Sequence, residues 1–271
     1  MTVNLKNLKL PSLSEAGLQV LEILASDDID FTSLGDFLAK DSLLSAIILK
    51  YANSPVYKRE VKVTNVRTAV STLGLKTCKM AVSFAIMKSY DNPPTPVTEK
   101  IWSHSVNTSV ASRIIAENLF PELADDIETS ALMHDMGALI LARSYPQQYQ
   151  MIFEQALTQG AGLSDSEKAE FDLNHDDVFH IVAKHLRLSE LTQKVVEQFH
   201  HGEAITAVND DIDKQILTLC LAHYFLERYD KIGCVKESLA NDMNSITVLL
   251  NLSDDKLDQL YDECETMLDV I

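Results

Sequence analysis

Residues 128–142 read ETSALMHDMGALILA. Apolar residues flank a central His134–Asp135 pair, and nothing in the run alternates in the manner of a half-buried strand. The spacing predicts a helix over 123–142. A charged carboxylate in such company is costly unless something compensates it. The pair is therefore a candidate metal site or the remnant of one, and the rest of the chain has to choose.

Outward from this stretch the periodicity is helical almost throughout. Helices are expected over 13–26, with Ser14 as N-cap, and over two short pieces within 31–54 that break near Asp41. Another pair is expected over 63–90, with Gly74 at the joint. The run DNPPTPV, residues 91–97, disfavours helix, and Thr95 and Pro96 then suit the N-cap and first position of a new one. Further helices are expected at 146–159, 164–172, 175–186, 189–201, 209–230 and 254–269. In the last, Leu257, Leu260, Tyr261 and Met267 are expected to pack inward. The fold class is all-α, in two helical lobes over 1–90 and 97–271, with 91–96 as the linker.

The 271 residues suffice for a buried core, and the 46% apolar content with only seven prolines is globular. A formal net charge of −17 argues against nucleic-acid phosphates or anionic membranes as the main partner. The N-terminus lacks the pattern of a signal peptide, and no apolar run reads as long enough to span a bilayer. Cys78, Cys220, Cys234 and Cys264 form no CxxC and read as free thiols. A cytoplasmic, bacterial-type protein is the expectation.

All eight histidines lie after residue 100: His104, His134, His175, His180, His185, His200, His201 and His223. Imidazole and carboxylate are the usual ligands of borderline metals. His134 and Asp135 are consecutive, about a quarter-turn apart on a helix, and can approach one cation from neighbouring directions. His200 and His201 repeat the adjacency at another helix end. The alternative is that Asp135 accepts hydrogen bonds from neighbouring histidines and merely keeps the interior satisfied.

Three N-terminal stretches, LPSLSEAGLQVLEIL (10–24), LAKDSLLSAIILKYANSPVY (38–57) and VTNVRTAVSTLGLK (63–76), resemble the HDOD family, a relative of the HD-domain superfamily. WSHS (102–105), ALMHDMGALIL (131–141), NHDDVFHIVAKHLRL (174–188) and FHH (199–201) extend the resemblance to about residue 230. One departure is Ser42, where the family commonly has proline. The resemblance implies an N-terminal HDOD-type helical lobe with an HD-like helical lobe, and a regulatory role in signalling.

It also implies a ligand set. His104 matches the first histidine of catalytic HD phosphohydrolases, and His134 and Asp135 match their signature pair. His175 and one or both of His200 and His201 match the additional ligands of the related HD-GYP phosphodiesterases. Where the family often places a terminal aspartate, this chain has His223. The implied metal ligands are His104, His134, Asp135, His175, His201 and His223, for a divalent Fe, Zn, Ni or Mn. HD-GYP proteins commonly carry a lysine where this chain has Ala138, whose side chain offers neither charge nor hydrogen bond. His200 or His201 is the candidate catalytic stand-in. Two functions follow. One is a signalling module that binds a signalling protein or a nucleotide. The other is a metal-dependent phosphohydrolase or phosphodiesterase acting on a nucleotide or cyclic nucleotide.

Overall fold

The computed structural model describes residues 8–10, 19–20, 22–23, 31–57, 62–159, 162–229 and 239–269. Among them every regular element is a helix, and no strand occurs. The chain divides into two compact units, Pro11–Asn92 and Met1–Leu10 with Pro93–Ile271.

The first unit contains α1 (Phe31–Leu38), α2 (Ser42–Ala52) and α3 (Val66–Tyr90), with α3 packed on both others. The helix expected over 13–26 lies largely outside the described residues. Asp41 starts α2 by accepting from the Leu44 amide at 3.0 Å, so the helix has its cap with serine following. Asn53 grips the chain ten residues on. Its Oδ1 accepts from the Val63 amide at 2.8 Å and its Nδ2 donates to the Val63 carbonyl at 2.8 Å. That gives the ANSPVY turn a structural role. Asn65 caps α3 through the Thr68 amide, and Gly74, at φ 76° and ψ 172°, breaks α3 in two. An L side chain disfavours that φ, which is why glycine stands at the joint.

Counted across the Gly74 kink, α3 has the residue count and hydropathy of a membrane span, although 61% of its most apolar window is buried in the protein. The straight run after the kink, residues 75–90, extends about 24 Å at 1.5 Å per residue, short of a bilayer's ~30 Å core.

The second unit is built around α4 (Pro96–Leu119). Thr95 and Thr98 form a reciprocal capping box at its start, at 3.2 and 2.8 Å. Around it lie α5 (Ala124–Met133), α6 (Met136–Ser144), α7 (Pro146–Gln159), α8 (Leu163–Phe171), α9 (His175–His185), α10 (Glu190–His201), α11 (Asp211–Arg228), α12 (Met243–Leu249) and α13 (Asp254–Leu268). The central helix packs against α5, α6, α11 and α13, while α9 lies on α6 and α10. Arg113 of α4 ties the bundle together, donating to Glu117 and Asp125 at 2.9 Å and to the buried Glu128 at 2.5 Å.

Two expectations need correction. The helix expected over 123–142 is interrupted at His134–Asp135, between α5 and α6. The inward stripe of α13 is Leu260, Cys264 and Leu268, while Leu257, Tyr261 and Met267 are half-buried. Spacing of four along the helix sets that stripe, and Cys264 fills it as a small apolar residue. Cys78, Cys220 and Cys264 are buried thiols outside any disulfide among the described residues, and Cys234 lies outside the described residues.

Candidate metal centre

The interruption at His134–Asp135 is what aims the pair. Asp135 adopts φ −94° and ψ 12°, off the helical basin, and occupies the N-cap position of α6. Its backbone carbonyl accepts from the Leu139 amide at 3.3 Å, but its side chain does no capping. The carboxylate is thus buried yet released from the usual duty of an N-cap aspartate. Its Oδ1 is fully buried and makes no hydrogen bond among the described residues.

Three helices bring three imidazoles together, two of them beside Oδ2 of that carboxylate. His104 comes from the middle of α4, His134 from the end of α5 and His223 from α11. The His104 Nε2 lies 3.1 Å from the His134 Nε2 and 3.2 Å from the His223 Nε2. Asp135 Oδ2 stands 3.5 Å from His104 Nε2 and 3.4 Å from His134 Nε2. Donors bound 2.0–2.1 Å from one tetrahedral zinc stand about 3.3–3.4 Å apart, close to these separations.

The outer ring nitrogens strengthen the fit. His134 Nδ1 donates to the Ala131 carbonyl at 2.6 Å, and His223 Nδ1 donates to the Leu219 carbonyl at 2.8 Å. In a neutral ring that leaves Nε2 as a lone pair. One N–H on His104 cannot point squarely at both of these lone pairs. A cation among the three nitrogens removes the conflict, and a backbone carbonyl on the outer nitrogen is the usual support of a ligating histidine. Burial, only partly offset by Asp135, pushes the His134 imidazole down to about 3. Burial also drives His223 well below the ordinary value, with His104 and His134 adding to the effect. Both rings are therefore neutral at physiological pH. Burial works to raise the Asp135 carboxyl, but the surrounding imidazoles, His134 first, overcome it and hold the group below the ordinary carboxylate range. Phe199 closes the apolar side, its ring centroid 5.8 Å from His134 and 5.0 Å from His223.

A second corner adjoins the first. His175 and Asp176 open α9, and His200 comes from the end of α10. Single donor atoms of His175, Asp176 and His200 converge within 4.8 Å of one another, as do those of His134, Asp135 and His200. Asp135 and His200 thus stand between the corners. His200 Nδ1 is hydrogen-bonded to Asp176 Oδ1, and His175 Nε2 lies 3.4 Å from that oxygen. Burial works to lower His175, but the charges of Glu167 and Asp176 outweigh it, and the imidazole is raised well above its ordinary value. Burial opposes ionisation of Asp176 as well, but His175 and the His200 hydrogen bond pull it below the ordinary carboxylate range. A cleft of about 230 Å³ opens beside this corner, lined by His175, Asp176, His200, His201, Lys168 and Ser164 among others.

The α6–α9 contact holds the corners at their spacing. Gly137, two residues past Asp135, lies so close to α9 that a Cβ there would stand 1.8 Å from the His175 carbonyl oxygen.

Of the residues singled out from the sequence, His104, His134, Asp135, His175, His200 and His223 meet in these groups. His201 does not join them. Its side chain is 45% exposed, and its Nε2 pairs with Asp176 Oδ2 at 2.9 Å. His180 and His185 are half-buried and outside the groups. The sequence reading omits Asp176, although His175–Asp176 repeats the His134–Asp135 dipeptide and so carried a signal. It also omits Glu167, which is fully buried and contacts His175, and for which no local pattern stands out.

The HDOD domain family matches residues 10–202. Among solved structures, the chain is similar to an HDOD domain protein of unknown function from Geobacter sulfurreducens. The identity is 20%, the TM-score 0.71, and the match covers 96% of this chain and 90% of that one. It is similar to a candidate phosphohydrolase from Shewanella amazonensis SB2B, with 20% identity, TM-score 0.70, and coverage of 95% and 91%. It is also similar to a candidate signal transduction protein from Marinobacter aquaeolei VT8, with 17% identity and TM-score 0.74. That match covers 99% of this chain and 60% of that one. No curated protein matches the chain.

Proposed function

This chain belongs to the HDOD domain family, and on that premise we propose that it is a cytoplasmic signalling module whose second unit binds divalent metal at a degenerate HD site. The observation that carries the metal reading is the meeting of three Nε2 atoms, those of His104 and His134 beside Asp135 Oδ2, while the Asp135 Oδ1 is buried and makes no hydrogen bond among the described residues. His104, His134, His223 and Asp135 hold the ion of the first corner. His175, Asp176 and His200 hold that of the second, with Asp135 and His200 between them. Imidazole-rich donors favour Zn, Fe or Ni, with Mn acceptable to the carboxylate corner. When bound, such an ion supplies positive charge and a coordinated water of lowered pKa.

The signalling reading rests on what the site lacks. Ala138 is buried and brings no cation, and His223 replaces an anionic ligand with a neutral one. A partner protein or a nucleotide then reads the state of the domain. The neighbour described as a signal transduction protein is consistent with that context. Metal content of protein purified without chelator or metal-affinity tag is the test. Bound metal that is lost in Asp135→Ala is expected, and a metal-free wild type would overturn the reading.

A second reading has its own observation. The cleft beside His175 and His200 exposes the second corner to a substrate, and Lys168 lines it. A phosphohydrolase or phosphodiesterase acting on a nucleotide or cyclic nucleotide fits that opening. In it Lys168 binds a phosphate oxygen, Phe199 excludes water from one wall, and His200 and His201 are the proton-holding candidates. Turnover of a phosphodiester panel with added Mn²⁺, Fe²⁺, Ni²⁺ or Zn²⁺ separates the two readings. Metal binding without turnover sinks the enzyme.

A further inference from the structure

We propose that Glu167, held in place by Tyr149, is a positioning residue that fixes His175 as a ligand through Nε2. The inference rests on the metal-binding reading above and concerns its second corner.

Glu167 lies on α8, a helix that contributes no ligand of its own, and is fully buried. A carboxylate in that position is costly unless its oxygens are used. Among the described residues, its hydrogen bonds lead to His175 or brace the carboxylate from behind. Oε2 accepts from the His175 backbone amide at 2.8 Å and from its Nδ1 at 2.6 Å. Oε1 accepts from the Tyr149 hydroxyl at 2.5 Å. Tyr149 is itself fully buried and stacks on Phe171 with the rings 6° from parallel. One oxygen therefore holds both the backbone and the ring of the same histidine, and the phenol stops the carboxylate from swinging away.

The consequence is directional. With Nδ1 occupied, Nε2 is the ring atom left to bind, and it faces Asp176 and His200. The two corners are also inequivalent. His134 and His223 rest on backbone carbonyls, whereas His175 rests on a carboxylate, which makes its imidazole the stronger donor. Glu167 thereby supports a corner that has two imidazoles, His175 and His200, against the three of the first.

The experiment is a Zn²⁺ and Mn²⁺ titration of the full chain, following stoichiometry and affinity of both ions, with Co²⁺ absorption as a report on coordination. In Glu167→Gln the first ion should bind as in the wild type. The second should bind roughly 10- to 100-fold more weakly, as for other carboxylates behind ligating histidines, with an altered Co²⁺ spectrum. Tyr149→Phe should weaken the second ion in the same direction by less, and it carries the test if Glu167→Gln does not fold. Unchanged second-ion affinity in a folded Glu167→Gln overturns the positioning role. A wild-type chain that takes up no second ion overturns the two-corner reading, and the proposal with it.

Discussion

Replacing Gly137 with alanine sets two physical effects against each other with opposite signs. Gly137 lies inside α6, and its φ is not among the positive values, so alanine suits the backbone there. Helix propensity alone predicts a gain of about 1 kcal/mol. The packing predicts the reverse. The new Cβ would stand 1.8 Å from the His175 carbonyl oxygen, 2.8 Å from its carbonyl carbon and 3.0 Å from the Phe179 amide nitrogen. Ordinary contact begins at 3.4 Å, so the start of α9 must retreat by the difference from 1.8 Å, about 1.6 Å. The obstacles are backbone atoms of a helix and cannot rotate aside. Overpacking of this kind costs about 1–3 kcal/mol or more, enough to overcome the propensity gain. In a unit of this size each kcal/mol moves Tm by about 2–4 °C, so a drop of several degrees is expected in thermal denaturation. The retreat also carries His175 and Asp176 away from Asp135. Metal sites tolerate about 0.2 Å in ligand distance, so the second-corner ion, held by His175 and Asp176, should weaken by about an order of magnitude. A Gly137→Ala protein with an equal or higher Tm and unchanged metal affinity would refute the close-approach argument.

Two further outcomes are expected. His223→Asp returns an anion to the first corner and should raise the affinity for Mn²⁺ relative to Zn²⁺ in competition titrations, because a carboxylate suits the harder ion; an unchanged ratio would place His223 outside the coordination set. The metal-free chain should lose stability on acidification below pH 6.5. Unfolded His134 takes a proton near 6.5, whereas the buried ring stays neutral to about 3, so the unfolded state holds more protons across that window. The sign is a loss of about 1.4 kcal/mol per pH unit from this ring, with His223 acting in the same direction. His175 acts oppositely and only above 6.5, where its raised value makes stability fall as pH rises. Denaturant midpoints that stay flat between pH 6.5 and 4 would show that the buried rings are not held neutral.

The helices were legible in the sequence because their causes are local. Thr95, Asn65 and Asp41 cap within three residues, Gly74 breaks α3 at its own φ, and apolar spacing names most of the buried faces. The identity of most clustered side chains was legible too, since His134–Asp135 and the histidine series mark themselves by type and order. Tertiary structure alone decided which atoms meet. The break that frees the Asp135 carboxylate comes in a stretch whose spacing reads as one continuous helix, because local propensity carries no record of what packs on either side. His104 and His223 stand 119 residues apart and meet at 3.2 Å only because α4 and α11 pack together. Glu167 has nothing in its own neighbourhood to mark it as more than another acidic helix residue. Its role exists only because α7, α8 and α9 bring a phenol, a carboxylate and an imidazole into line, and hydrogen bonds of that kind depend on distance in space, which the order of residues does not specify.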